Sequence, residues 1–237
     1  MVQPTPEVEA LPEPRWGFGD VAITLLGTIV LGIAVVVLTE PLRSKGGTAE
    51  AWSYIVLLVV PWVCLAGWPL NVARTKGNGP RLDYGLSLTR RDIGIGVLGG
   101  FVALILADVV ATITEKVVGP FDSAVGDLAL SMTKGSPPLV VLALCTAFGA
   151  PVVEELAFRG LVFGSFRRMG VSVAVSVVST AAVFAGFHLE AVRFPLLFTI
   201  GLVLGAVRAT TNSTAASMVS HMVVNIPGAL GILLLLH

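Results

Sequence analysis

Ala147–Gly164 reads A-F-G-A-P-V-V-E-E-L-A-F-R-G-L-V-F-G. Glu154, Glu155 and Arg159 thus stand inside an otherwise apolar run. Charge in such a run is costly unless it is paired or put to use. Residues four apart share a helix face, so Glu155 and Arg159 are set to pair along one helix. Glu154 lies five positions from Arg159 and is less naturally paired within that helix. A glutamate left without a partner in a dry site is a suitable general base for a water molecule.

The rest of the chain explains why the run counts as membrane-embedded. Of 237 residues, 55% are hydrophobic and only 13% are charged, against about 25% charged in an ordinary soluble domain. Mean hydropathy is +0.90. The 15 basic and 15 acidic side chains cancel, and no basic patch points to nucleic acid. Cys64 and Cys145 each lie in apolar sequence and read as small packing residues.

A span needs about 20 apolar residues. Val21–Thr39 and Ala51–Ala73 meet that requirement, the second with Pro61 inside it and Trp52 and Trp68 at interface positions. Ile93–Ile113 is a third span. Its Asp108 reads as an acid near a helix end that reaches headgroups or a bundle partner, a functional acid being the sharper alternative. A short surface helix is expected around Phe121–Met132. Gly135–Val153 and Val152–Arg168 form one bent helix or two, parted at Pro151. Met169–Phe187 and Phe194–Val207 follow, then Ala209–Leu236. Arg193 and Arg208 flank the shortest span and are expected to snorkel. G160-L-V-F-G164 and G201-L-V-L-G205 have the spacing of close helix contacts.

The expected architecture is an all-α polytopic membrane protein, a bundle of about seven or eight transmembrane helices around an intramembrane catalytic cavity. Residues 1–20 read as a disordered cytoplasmic tail, 21–134 as N-terminal spans and loops, and 135–237 as the motif-bearing core. His237 is uninformative. The loop Arg74–Asp92 carries Arg74, Lys76, Arg81, Arg90 and Arg91 around a K-G-N-G-P turn. Positive loops stay inside, which places that loop and the N-terminus in the cytoplasm of a multi-pass cell-membrane protein.

Two of the three histidines also lie in hydrophobic segments. Phe184 and His188 are four apart, as are His221 and Asn225. Three helices therefore each offer a pair at helical spacing, and buried polar groups turn toward the bundle interior to meet. Glu155–Arg159 could instead be a structural ion pair, each histidine a satisfied core residue, and Asn225 interhelical glue. Ser213, Ser217 and Ser220 lack a G-x-S-x-G context for a nucleophile. Phe158, Phe163, Phe184 and Phe187 read as core filler, with a substrate pocket as the alternative. Glu154, His188 and His221 would also suit a zinc ion, although no H-E-x-x-H is present. The cofactor is thus none or one divalent metal.

The motifs E154-E-L-A-F-R159, F184-A-G-F-H188 and H221-M-V-V-N225 resemble those of the CPBP family, intramembrane proteases that include the CAAX prenyl endopeptidases and bacterial Abi-like proteins. The resemblance covers about Gly135–Leu236. It implies a helical bundle of about eight spans with a cavity open to the cytosolic side. It implies that Glu154 and His188 activate the attacking water, that His221 and Asn225 form the oxyanion site, and that Glu155 and Arg159 brace it. Membrane lipid and a protein or peptide substrate, itself membrane-associated or not, are the implied partners. Members have been described as metal-dependent and as metal-independent glutamate proteases, and others as immunity or scaffold-like proteins. A proton-relaying transporter is disfavoured, because the polar residues cluster in the second half of the chain.

Overall fold

The computed structural model describes residues 12–234. Nine helices and no strand occur among them. They are α1 (Phe18–Arg43), α2 (Gly47–Thr75), α3 (Pro80–Asp83), α4 (Arg90–Val118), α5 (Ala124–Ser131), α6 (Pro137–Arg168), α7 (Val173–Phe187), α8 (Phe194–Thr211) and α9 (Thr214–Leu234). Six of them, α1, α2, α4, α6, α8 and α9, are long and apolar enough to cross a membrane. The shorter apolar α7 is a seventh candidate. The protein is an all-α polytopic membrane protein. The end of the last expected span at Leu236, and His237, lie outside the described residues.

The centre of the bundle is α6. It runs unbroken past Pro151, so the two segments expected on either side of that proline are one helix. Proline has no N–H and clashes with the carbonyl four residues back, which normally breaks a helix. Here a wide π-helical turn, Cys145–Gly149, precedes it and opens the backbone where the ring must fit. A second π stretch, Leu156–Val162, follows the two glutamates, and all seven of its residues are buried. A helix buried all round lies inside a bundle. π turns inside α-helices are frequent at functional sites.

Small residues let the other helices close in. A Cβ at Gly100 of α4 would stand 2.7 Å from the Ser220 carbonyl oxygen of α9, and one at Gly96 would stand 2.6 Å from the Ala216 carbonyl oxygen. Both expected glycine pairs are contact faces. Gly160 and Gly164 lie under the rings of Tyr84 and Trp16, and Gly201 and Gly205 lie against Ala181 and Val177 of α7.

Several expectations need correcting. Residues 1–11 of the expected tail lie outside the described residues, but 12–20 are not a loose tail. Trp16 is buried and its indole N–H donates to Asp83 at 3.1 Å. Asp20 lies in the first turn of α1 and pairs with Lys76 at 2.5 Å. The tail is pinned because the basic loop that follows α2 supplies its partners. Arg208 does not snorkel; it is 6% exposed and points inward. Asp108 is exposed ten residues before the end of α4 at Val118, so it sits away from the helix end and outside the site described below.

Tyr84, in the turn after α3, ties the basic loop to α6. It is fully buried, its hydroxyl donates to the Pro69 carbonyl at 2.8 Å, and burial holds its phenol protonated well above the usual tyrosine range. Its ring meets Trp16 edge-on.

The close approach of α4 and α9 is testable. Gly100→Ala should lower the thermal-unfolding midpoint in detergent, a cost on the order of 1–3 kcal/mol. Gly94→Ala, whose Cβ would meet nothing within 4 Å, should leave the midpoint unchanged or raise it slightly.

Candidate active site

The two π stretches of α6 bracket Glu154 and Glu155, which leave adjacent positions in different directions. Glu155 is completely buried. Three donors meet its carboxylate. Arg159 Nη1 donates to Oε1 at 2.7 Å, His221 Nδ1 donates to the same oxygen at 2.9 Å, and the Ser217 hydroxyl donates to Oε2 at 2.6 Å. One side chain of α6 thereby fastens two turns of α9. An isolated ion would not survive in such a place; a fully paired and hydrogen-bonded one can.

Arg159 is also completely buried. Its Nη2 donates to the Gly201 carbonyl of α8 at 2.9 Å. Its guanidinium carbon lies 4.7 Å from the centre of the Phe184 ring on α7, a cation–π contact. Glu155 and Arg159 together thus reach α7, α8 and α9 from α6.

Phe184 explains the spacing of its own motif. Its ring stands against Arg159, against His188 at 4.7 Å and against His221 at 5.8 Å between centroids. Its carbonyl accepts a hydrogen bond from His188 Nδ1 at 2.8 Å, across four residues at the end of α7. A carbonyl only accepts, so Nδ1 carries the hydrogen and Nε2 of the neutral ring keeps its lone pair. Leu189, immediately after, has φ 57°, a left-handed conformation unfavourable for a leucine. The chain turns sharply there, and His188 is held as the last residue before the turn.

The same reasoning fixes His221. Its Nδ1 hydrogen goes to Glu155, so Nε2 of the neutral ring presents a lone pair. That atom lies 3.9 Å from Glu154 Oε2. The separation is too long for a direct hydrogen bond and suits one water molecule bonded to both. Glu154 and His188 both line a cavity of about 220 Å³, together with Thr28, Pro61, Trp62 and Phe187. One carboxylate and one imidazole therefore face a common space large enough for water, and a second imidazole stands behind the carboxylate.

Asn225 is placed differently from the expectation. Its amide Nδ2 donates to the Thr146 carbonyl at 2.9 Å. Thr146 lies in the first π turn, where the residue five positions on is Pro151, which has no N–H to offer. Asn225 answers the carbonyl that the proline leaves unpaired. One of its amide hydrogens is thereby used, and one remains.

A metal centre was one of two alternatives for this donor set. A catalytic zinc needs three protein ligands at about 2.0–2.2 Å. Among the described residues no group of three or more His, Cys, Asp or Glu side chains is placed to hold an ion.

Two members of the network have roles that the sequence does not show. Ser217 is four residues before His221, so the two share a face of α9; the spacing was visible, its partner Glu155 was not. Gly201 contributes only a carbonyl, which no side-chain pattern reveals. Phe158 and Phe184 are core, edge to face at 5.3 Å, whereas Phe187 lines the cavity and Phe163 lines another, larger one. Cys64 and Cys145 are free thiols.

Residues 136–227 match the family model described as Type II CAAX prenyl endopeptidase Rce1-like. The matched segment contains all three motifs. No curated protein and no solved structure matches the chain.

Removing one partner of a buried pair leaves the other charge uncompensated, a loss of about 3–5 kcal/mol. Arg159→Ala should therefore lower the unfolding midpoint sharply. Combining it with Glu155→Gln should recover part of that loss, and a double-mutant cycle by thermal unfolding in detergent measures the coupling.

Proposed function

We propose that the chain, whose residues 136–227 match the Rce1-like family model, is a CPBP-type intramembrane endopeptidase in which Glu154 and His188 activate water against a peptide bond. The observation that carries this reading is the shared cavity. Glu154 faces it without a direct protein partner within hydrogen-bond distance, and His188 lines it with Nδ1 held by the Phe184 carbonyl.

In this reading a water molecule lies between the Glu154 carboxylate and His188 Nε2. Glu154 takes one proton as the oxygen attacks the scissile carbonyl carbon. The tetrahedral intermediate carries its negative charge on the former carbonyl oxygen. The C–N bond then breaks, and the proton held by Glu154 passes to the leaving nitrogen. His221 and Asn225 are the proposed oxyanion donors. His221 would serve through Nε2, its Nδ1 being held by Glu155, and Asn225 through its remaining amide hydrogen. Glu155, Arg159 and Ser217 position His221 without touching the substrate. Groups fixed before the reaction stabilise developing charge most effectively.

The cavity walls are apolar apart from Thr28, Glu154 and His188. That suits an extended peptide segment presented within or beside the bilayer. Nothing on those walls selects a prenyl group. Arg167, Arg168 and Arg208 lie at the same end of the bundle as the loop 74–92, since Asp83 of that loop lines one cavity with them. This accumulation of positive charge supports a cytoplasmic location for that end and for the N-terminus.

Reconstituted protein should cleave members of a peptide library, with products read by mass spectrometry. Glu154→Gln and His188→Ala should each lower the rate by about 10²–10⁴-fold while leaving thermal stability near wild type. EDTA should leave the rate unchanged. Product patterns identical in wild type and both variants would overturn the protease reading in favour of a membrane scaffold, and loss of activity with EDTA would return the metal.

A further inference from the structure

A second cavity, of about 400 Å³, lies at the basic end of the bundle, within the size range of small-molecule sites. Arg167 and Arg168 reach it from the end of α6, Arg208 from α8, and Trp16 and Asp83 from the opposite wall. None of the three arginines has a carboxylate partner among the described residues.

Arg208 is the most telling of the three. It is 94% buried, yet its two hydrogen bonds go to neutral oxygens, the Arg159 carbonyl at 3.3 Å and Asn212 Oδ1 at 2.7 Å. A buried charge without a counter-ion is costly. Arg167 bonds only the backbone carbonyl of Val171, and Arg168 lies 4.8 Å from the centre of the Trp16 ring. The one acid on the wall, Asp83, already accepts from the Trp16 indole and the Asn78 amide. Three cations thus converge on a space that holds one committed anion.

Guanidinium groups present planar forks that match phosphate oxygens, and they keep their charge at any working pH. Basic pockets between transmembrane helices suit phosphate-bearing headgroups. The pocket lies at helix ends, where those headgroups sit. We propose that this cavity is a binding site for a phosphate group, held by Arg167, Arg168 and Arg208. The bound group is the headgroup of an anionic phospholipid or a soluble phosphate; the chemistry of recognition is shared. The site is separate from the Glu154–His188 cavity and does not depend on the protease reading. Arg208 does hold the backbone carbonyl of Arg159, the partner of Glu155.

The test is a binding measurement on the full chain in neutral detergent. One arm titrates short-chain phosphatidylglycerol, with phosphatidylcholine as the uncharged control, and reads bound lipid by native mass spectrometry. The other titrates inorganic phosphate and reads the thermal-unfolding midpoint. The exposed pair Arg167→Gln/Arg168→Gln removes two charges without touching the core. Arg90→Gln/Arg91→Gln removes two exposed charges elsewhere at the same end. The proposal expects saturable binding in one arm, about tenfold or more weaker in the first variant and unchanged in the second. Saturation by phosphatidylglycerol assigns the site to lipid, and saturation by phosphate alone assigns it to a soluble ligand. No binding in either arm, equal loss in both variants, or equal binding of phosphatidylcholine would overturn it. Binding that emerges only after Glu7→Gln/Glu9→Gln would give the pocket to the chain's own N-terminal segment and would also overturn it.

Discussion

A carboxylate with no exposed surface, set between helices in a membrane, has to be answered by the protein itself. Glu155 is answered by Arg159, His221 and Ser217, and Arg159 in turn by the Gly201 carbonyl and the Phe184 ring. This one ion pair touches four helices. Its energetic meaning is asymmetric: intact, it contributes little net stability, while broken it leaves an ion in a medium that cannot solvate it. The arrangement of α6, α7, α8 and α9 is therefore strongly specified even though lipid tails give helices no hydrophobic reason to associate. Glycine contacts supply the closeness and the ion pair supplies the registration.

The orientation of the polar side chains follows from that registration. Fixing His221 Nδ1 on Glu155 turns Nε2 toward Glu154. Fixing His188 Nδ1 on the Phe184 carbonyl turns its Nε2 away from its own helix. Both imidazoles are thus oriented by the partner of Nδ1, the Phe184 carbonyl for His188 and Glu155 for His221. Glu154 and Glu155 are adjacent in sequence and opposite in use. One is saturated by donors, and the other lines a cavity with His188 and stands 3.9 Å from His221 Nε2. The π stretches that bracket them let adjacent residues of one helix serve two directions.

Much of this was legible in the sequence, for physical reasons. Long apolar runs announce spans because length and hydropathy are local properties, and the Glu155–Arg159 pair is local as well. The i, i+4 spacings at Phe184–His188 and His221–Asn225 marked two further helices that had to meet it, since none of those polar groups belongs in lipid. What stayed hidden was every pairing between segments. Nothing in the sequence says that Asn225 answers a carbonyl freed by Pro151, that Ser217 completes the shell of Glu155, or that Trp16 and Asp20 are bound by the loop after α2. The inward turn of Arg208 was hidden for the same reason: its partners, the carbonyl of Arg159 and the side chain of Asn212, depend on how the helices pack. The glycines of α4 at positions 96 and 100 were in plain view but lost among 26 glycines.

The account rests on a wet space between Glu154 and His188, with Glu155 holding the surroundings still. An experimental density map of the protein in lipid nanodiscs, at a resolution that shows ordered solvent, tests it most directly. It should reveal a water molecule within hydrogen-bond distance of both the Glu154 carboxylate and His188 Nε2. A cavity filled by protein side chains or acyl chain, with Glu154 bonded to protein and no water between the two residues, would contradict it.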